Sequence, residues 1–185
     1  FAMRHHPAMR HAAGPRRSLG FPTLFNLLGP LTNPARAPRQ LLGVYRAEFV
    51  DLLAAALARL GSTAAAVVHG AGGLDEVSTL GPSEAAWVCA GQVHSSAISP
   101  DGIVARGSLE DLQAKDLAHG VDIVRGVLAG DAGPTRDIVV LNAGVALVVA
   151  GMASDLGHAV ELASAAIDAG RASRVLDDLA KLSRA

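Results

Sequence analysis

Residues 40–70 read QLLGVYRAEFVDLLAAALARLGSTAAAVVHG, and this segment determines the architecture. Gln40 to Tyr45 is a short apolar run that predicts a strand. Glu48 to Leu60 carries apolar residues at helical spacing and stops at Gly61, which predicts an amphipathic helix. Ala64 to His69 is continuously apolar, as expected for a strand that is buried on both faces. Strand, helix and strand in this order predict a parallel βαβ unit.

The flanking segments complete an α/β chain. Ser78 to Ser99 indicates short antiparallel strands, and four helices are predicted beyond it: Leu117–Ala129, Thr135–Ala150, Asp155–Ala169 and Arg171–Leu182. Upstream, Pro7 to Leu19 predicts one or two short helices broken at Gly14-Pro15. Thr23 is the expected N-cap of a further helix, which Gly29-Pro30 stops. We expect residues 1–185 to form a single α/β domain.

Composition excludes several classes of protein. With 50% hydrophobic and 18% charged residues the chain is not disordered, and 3% aromatics argue against a stacking platform for nucleic acid. The apolar run from Ile138 to Ala153 is too short for a membrane span and predicts a buried helix. Cys89 is the only cysteine, so no intrachain disulfide can form, and this fits a reducing cytosol. We expect the Cys89 side chain to lie in the core.

Charge is divided unevenly along the chain. Phe1 to Ala47 contains seven arginines and no acidic residue, so it carries +7, and the remainder carries −8. An acid-free basic segment suits anions, and the planar guanidinium matches carboxylate and phosphate. A solvated basic face is the alternative that composition leaves open. Nucleic acid is a less favoured partner because the whole chain has a net charge of −1.

Asp75-Glu76 is a candidate metal site. The pair follows the strand Ala64 to His69 and a turn that reads GAGG at 70–73, which places it at the carboxyl end of a strand, where α/β proteins bind ligands. Two carboxylates there can hold Mg²⁺, which in turn binds phosphate oxygens. The alternative interpretation is that the two adjacent carboxylates are simply solvated or form part of a helix start.

Two motifs carry a family resemblance. The first is HPAMRH at 6–11 with Arg16-Arg17, and the second is FNLLGPLTNP at 25–34. In this order they resemble the anthranilate phosphoribosyltransferase family. The resemblance continues through LLGVY at 41–45, VHG at 68–70, GLDE at 73–76 and LNA at 141–143.

The resemblance implies the C-terminal part of the nucleoside phosphorylase/phosphoribosyltransferase catalytic domain, with a mostly parallel sheet flanked by helices. It implies transfer of phosphoribosyl from phosphoribosyl pyrophosphate to the amino group of anthranilate, in tryptophan biosynthesis, with Mg²⁺. Arg16 matches the arginine that orients the anthranilate carboxylate, and Asp75 and Glu76 match the metal ligands. His6, Met9, Gly29 and Pro30 are expected in the anthranilate pocket. No residue is expected to act as a covalent nucleophile.

The family's glycine-rich phosphate loop and its N-terminal helical domain are not in these 185 residues. We therefore expect the isolated chain to have little or no activity. The resemblance also implies that the full-length protein is a cytoplasmic homodimer. Two rival functions stay open: a non-catalytic relative that binds nucleic acid, and a pyrimidine nucleoside phosphorylase. His69 is expected to be structural, and Asn142 is expected to bond a neighbouring backbone.

Overall fold

In a computed structural model, the chain divides into two compact units, Phe1–Pro38 and Arg39–Ala185. The structure describes residues 9–21, Thr23 and residues 25–183. His6 lies outside the described residues. The single domain expected over residues 1–185 stays a prediction.

The first unit contains two short helices, α1 (Met9–Leu19) and α2 (Phe25–Leu31). The predicted break at Gly14-Pro15 is wrong, because α1 continues through Pro15. The predicted stop at Gly29-Pro30 is also early, because α2 runs on to Leu31. A proline removes only one helical hydrogen bond, and its fixed φ is itself helical, so a helix can pass through it at a cost in stability.

Thr23 does not cap α2 with its side chain as predicted. Its hydroxyl has no hydrogen-bond partner within the described part of the chain. The side chain of Asn26 reaches back instead, and its Oδ1 accepts from the backbone N–H of Thr23 at 3.0 Å. This is the reciprocal half of a capping box, with the third residue of the turn supplying the bond.

The second unit is built on a four-stranded mixed sheet in the order β1 (Arg39–Gly43), β2 (Ala64–His69), β3 (Ser83–Cys89) and β4 (Gln92–Ile98). β1 and β2 are parallel, with Leu41 opposite Ala66, and α3 (Phe49–Arg59) connects them. The predicted βαβ unit is therefore confirmed. β2–β3 and β3–β4 are antiparallel, so the sheet is mixed and β1 forms one of its edges.

The two faces of the sheet are covered by different helices. The apolar side of α3 packs on one face through its buried residues Val50, Leu53, Ala54 and Leu57. On the other face Ala66 and Val68 join the main core cluster. β2 is buried on both sides because alternate residues point to these opposite layers.

Five helices follow the sheet: α4 (Leu109–Leu112), α5 (Leu117–Ala129), α6 (Pro134–Ala150), α7 (Leu156–Asp168) and α8 (Arg171–Leu182). The four predicted helices are confirmed to within a residue or so at each end. α4 was not predicted; it is a single turn held by a capping box between Ser108 and Asp111. Asp116 and Asp155 cap α5 and α7 by accepting from the backbone N–H groups of His119 and His158.

The apolar run from Ile138 to Ala153 forms most of α6, which buries six residues and ends at Gly151 in the left-handed conformation. Cys89, predicted in the core, is exposed at the end of β3, because it lies beside the β3–β4 turn. Among the described residues no single helix is long and apolar enough to cross a membrane, although α5 and α6 meet the criteria as a pair bent by 64°.

Candidate functional site

The predicted site residues fall in both units. Arg16, Met9, Gly29 and Pro30 belong to the helices of the first unit, and the carboxylate pair belongs to the second.

Arg16 lies in the last turn of α1 and contacts α2. Its Nη2 donates to Asn26 Oδ1 at 3.3 Å, and the same oxygen accepts from Thr23. Asn26 belongs to the FNLLGPLTNP motif, so this motif positions the end of α1 as well as forming α2. The guanidinium is thereby directed by a neutral amide, and residues 1–47 contain no acidic residue.

A shallow, open depression surrounds this guanidinium. Its volume is about 460 Å³, and it is lined by Ala13, Arg16, Arg17, Gly20, Phe21 and Asn26. Phe21 is exposed and offers an aromatic face, while Arg16 and Arg17 offer positive charge. Two guanidinium groups beside an aromatic ring suit a small aromatic acid. Arg17, Phe21 and Asn26 were not predicted as site residues, although Arg17 and Asn26 lie within the motifs that carried the resemblance.

Of the other residues predicted for this pocket, Gly29 and Pro30 are not among the described residues that line the depression. Met9 is the first residue of α1, and only its backbone is described. Gly29 lies within α2 with open space where a Cβ would stand, and Pro30 is half-buried in the same helix. The open space at Gly29 is compatible with the close approach of a ligand, and it equally fits an exposed helix position.

The carboxylate pair is placed by a tight turn after β2. The backbone N–H of Gly70 donates to Leu74 O at 2.8 Å, and that of Gly73 donates to Gly70 O at 3.1 Å. Gly72 and Gly73 have φ of 83° and 79°, which glycine adopts without strain. The turn sends the chain back past the end of β2, so Asp75 and Glu76 lie at the carboxyl edge of the parallel pair, as predicted.

Two strand-end glycines make room for this returning segment. A Cβ on Gly43, the last residue of β1, would overlap the backbone carbonyl of Asp75. A Cβ on Gly70, immediately after β2, would overlap the backbone carbonyl of Glu76. The backbone of the carboxylate pair thus packs directly on the ends of both parallel strands, where only glycine fits.

A side chain from α6 fixes the segment from the other side. Asn142 accepts from the Val77 N–H and donates to the Val77 carbonyl, both at 2.8 Å, and it also donates to Ile138 O at 2.9 Å. The expectation that Asn142 bonds a backbone is confirmed. The partner is the residue directly after Glu76, which sequence reasoning did not identify because the two positions lie 65 residues apart.

The direction of α6 follows from two contacts, one at its middle and one near its carboxyl end. Arg39, at the start of β1, donates from Nη1 to Val149 O at 2.8 Å near the end of α6. Asn142 bonds Val77 beyond the end of β2. The amino-terminal half of α6 therefore lies towards the edge that carries Asp75 and Glu76.

The two carboxylates influence each other electrostatically. Burial raises the pKa of Glu76, and the neighbouring charge of Asp75 raises that pKa further. Both side chains remain exposed at the surface. A cation would relieve this repulsion, and hard oxygen donors are the ligands that Mg²⁺ prefers.

No cluster of three or more potential metal-ligating side chains occurs in the part of the chain that the structure describes. Two carboxylates alone still fit Mg²⁺, since this ion commonly keeps several waters and takes further oxygens from substrate phosphates. His69 makes a structural contact at the end of β2: its Nδ1 lies 2.8 Å from Val44 O, where it ties β2 to the residue that follows β1.

The chain was compared with known proteins. Residues 1–173 match the family model described as the glycosyl transferase family, a/b domain. The chain belongs to this family. The anthranilate phosphoribosyltransferase of Syntrophotalea carbinolica is 47% identical over 185 residues, which are 100% of this chain and 53% of that protein.

Solved structures of anthranilate phosphoribosyltransferases have a fold similar to that of this chain. The anthranilate phosphoribosyltransferase of Thermus thermophilus superposes with a TM-score of 0.87 at 39% identity, covering 97% of this chain and 54% of that one. The enzyme of Saccharomyces cerevisiae in complex with PRPP and Mg superposes with a TM-score of 0.83 at 27% identity, covering 93% of this chain and 50% of that one. This glycosyl transferase chain thus spans about half the length of its relatives and matches their α/β fold.

Proposed function

We propose that the chain forms part of an anthranilate phosphoribosyltransferase. The reaction breaks the C1–O bond of phosphoribosyl pyrophosphate, releases pyrophosphate, and joins C1 to the amino nitrogen of anthranilate, which loses a proton. The observation that carries this proposal is the 47% identity across all 185 residues to an enzyme of that name. The two sites described above supply groups of the chemistry that each substrate requires.

The first unit would hold anthranilate. Arg16 binds the carboxylate with its planar fork, and Asn26 keeps the guanidinium in place. Phe21 and Arg17 line the same depression and cover the ring. His6, Met9, Gly29 and Pro30 complete the pocket as the family resemblance implies. Holding the carboxylate directs the weakly nucleophilic amine at C1, which replaces a random encounter by an aligned one.

The second unit would hold the diphosphate end of the other substrate through Mg²⁺. Asp75 and Glu76 bind this ion, and it supplies positive charge that stabilises a departing pyrophosphate. The chain's own contribution is to fix the two carboxylates. The turn at 70–74, the strand-end glycines and the Asn142 bonds all act on the backbone of this segment. Rigid placement of charge before the reaction is what makes such a group effective.

The two rival functions are less well supported. Every relative and solved structure described above is an anthranilate phosphoribosyltransferase rather than a nucleoside phosphorylase. A non-catalytic nucleic-acid binder has no need of the carboxylate pair, which this chain retains. The cytoplasmic location and the homodimer of the whole protein stay predictions. The single cysteine fits the former.

A chimera tests the proposal directly. Residues 1–185 replace the matched region of the Syntrophotalea carbinolica enzyme, and anthranilate consumption is followed by its fluorescence with phosphoribosyl pyrophosphate and Mg²⁺ present. We expect turnover that stops when Mg²⁺ is chelated. A folded chimera that leaves anthranilate unchanged but cleaves thymidine with phosphate would assign the chain to the phosphorylases instead.

Substitutions in the chimera test the division of roles. Arg16→Ala should raise the KM for anthranilate by about 100-fold, on the scale of a lost charge-assisted bidentate bond, and leave the KM for phosphoribosyl pyrophosphate nearly unchanged. Arg16→Lys is the matched control: it keeps the charge but loses the fork, so its effect should be smaller. Asp75→Asn with Glu76→Gln should instead lower kcat and raise the Mg²⁺ concentration needed for half-maximal rate. Reversal of the two patterns would refute the assignment.

A further inference from the structure

The last described helix, α8, is strongly amphipathic, and the large side chains of its apolar face are exposed. None of residues 171–182, all of which the structure describes, is buried. The large apolar side chains recur at helical spacing, so they form one stripe: Val175, Leu176, Leu179 and Leu182. Between 42% and 75% of each of these side chains is exposed. A stripe of this kind normally packs against another element.

Helix α5 continues the same apolar surface. It contacts α8 and buries only Val127, while its residues Leu117, Val121 and Val124 are exposed. An open groove of about 640 Å³ lies between the two helices, with a lining that is almost entirely apolar. Asp116 stands at one end of the α5 side and Arg125 at the other, so the groove has an acidic and a basic end.

The known relatives indicate what could cover this surface. The matched region makes up 53% of the Syntrophotalea carbinolica enzyme and 54% of the Thermus thermophilus structure. The complete enzymes therefore contain nearly as much polypeptide again beyond the matched part. An apolar face that is uncovered here has a natural occupant in that remaining polypeptide.

We propose that the α5–α8 groove is the docking surface for the part of the anthranilate phosphoribosyltransferase fold that lies outside the matched region. The occupant is an amphipathic helix that presents apolar side chains at i, i+3, i+4 and i+7 to the groove. It carries a basic group beside Asp116 and an acidic group beside Arg125. The inference concerns assembly and goes beyond the proposed reaction.

The test measures binding without any turnover, so its result is independent of the proposed activity. The tagged 185-residue chain is co-expressed with the untagged part of the Syntrophotalea carbinolica enzyme that lies outside the matched region. We expect the two polypeptides to purify together. Leu179→Lys and Val124→Lys should each raise the dissociation constant at least tenfold, because Leu179 belongs to the apolar stripe of α8 and Val124 lines the groove beside it.

Matched controls carry the same new charge on the opposite sides of the same helices. Asp177→Lys lies two residues from Leu179 and points away from the apolar stripe, and Asp122→Lys has the same relation to Val124. Both should bind as the unchanged chain does. All four positions are exposed, so circular dichroism should show that every variant folds.

Thiol labelling provides a second measurement, which reports whether the apolar stripe of α8 is covered. In a Cys89→Ser background, Leu179→Cys and Asp177→Cys should react equally fast in the chain alone. The complementary polypeptide should slow only the Leu179→Cys variant, by at least tenfold. Unchanged labelling at position 179 within a complex would overturn the proposal. So would failure of the polypeptides to associate, or a dimer of the 185-residue chain that Leu179→Lys dissociates.

Discussion

Individual side chains around the candidate metal site show how local chemistry and distant contacts combine. Asp75 and Glu76 were identifiable from the sequence because they follow an apolar run and a glycine-rich turn. Their support was not identifiable, since Asn142 reaches Val77 from a helix that lies far along the chain. Sequence order carries little information on such tertiary hydrogen bonds. The exposed position of Cys89 was missed for a similar reason, because a hairpin turn leaves its end residues at the surface.

The charge of Glu76 should reduce stability at neutral pH. Its pKa is raised by burial and by Asp75, so the folded state loses stability as pH rises through that pKa. Glu76→Gln cannot ionise and should have the higher Tm at pH 7, by no more than about 1–2 °C because solvent screens an exposed carboxylate. Thermal unfolding followed by circular dichroism measures the difference.

This gain should disappear at about pH 3, where the unchanged residue is protonated as well. Asp101→Asn provides a control of opposite sign. Hydrogen bonds from Arg106 lower the pKa of Asp101, so neutralising this residue should lower the Tm at pH 7. A lower Tm for Glu76→Gln at pH 7 would contradict the predicted repulsion.

The amide of Asn142 should contribute strongly to stability. Asn142→Leu leaves the Val77 N–H and carbonyl without their partner, which should cost about 2–4 kcal/mol in the free energy of unfolding. Urea unfolding measures this loss, and hydrogen exchange at the Val77 amide should speed up with it. Val139→Ala, at an exposed position of the same helix, should change stability by less than about 0.5 kcal/mol.

Secondary-structure elements were predicted best where a hydrophobic pattern defines them. β2 has the predicted bounds, and α5 to α8 begin and end close to their capping aspartates and glycines. The helices of the first unit were predicted less well because each contains a proline within a short, polar or glycine-containing run. The end of β1 has another requirement that no pattern shows: its final residue must lack a side chain.

Gly43→Ala tests this requirement. The added Cβ would meet the Asp75 carbonyl, a backbone atom that cannot turn aside, so the strand end and the carboxylate segment must separate. We expect a loss of about 2–3 kcal/mol, in the range of overpacking substitutions. Gly14→Ala is the matched control: it has open space, ordinary helical geometry, and an expected small gain. Equal stability of the two variants in urea would refute the close contact.

Across the whole molecule, the core and the basic charge are separated. Among the described residues the buried hydrophobic cluster lies within residues 39–185, whereas the acid-free segment and its arginines occupy mainly the first unit. The α/β class was predictable from the order of apolar runs. The division at Pro38 was not, because a short connection between two units resembles any other loop in sequence.

Residues 39–185 should therefore fold without the first unit. We expect this segment to unfold cooperatively in differential scanning calorimetry, with a Tm within about 5 °C of the 185-residue chain, since its core is intact. Residues 1–38 alone should show no cooperative transition, because chains below about 40 residues rarely bury enough apolar surface. Gradual, non-cooperative melting of residues 39–185 would contradict this prediction.

The pairing of Asn142 with Val77 also affects when the loop that carries Asp75 and Glu76 can form during synthesis. The loop leaves the ribosome long before α6, and until residue 142 emerges its final hydrogen bonds have no donor or acceptor. Closing so long an interval of chain is entropically slow. Nascent chains that end before residue 142 should therefore carry the acidic loop in a protease-sensitive state, and its protection should begin only after α6 has been translated.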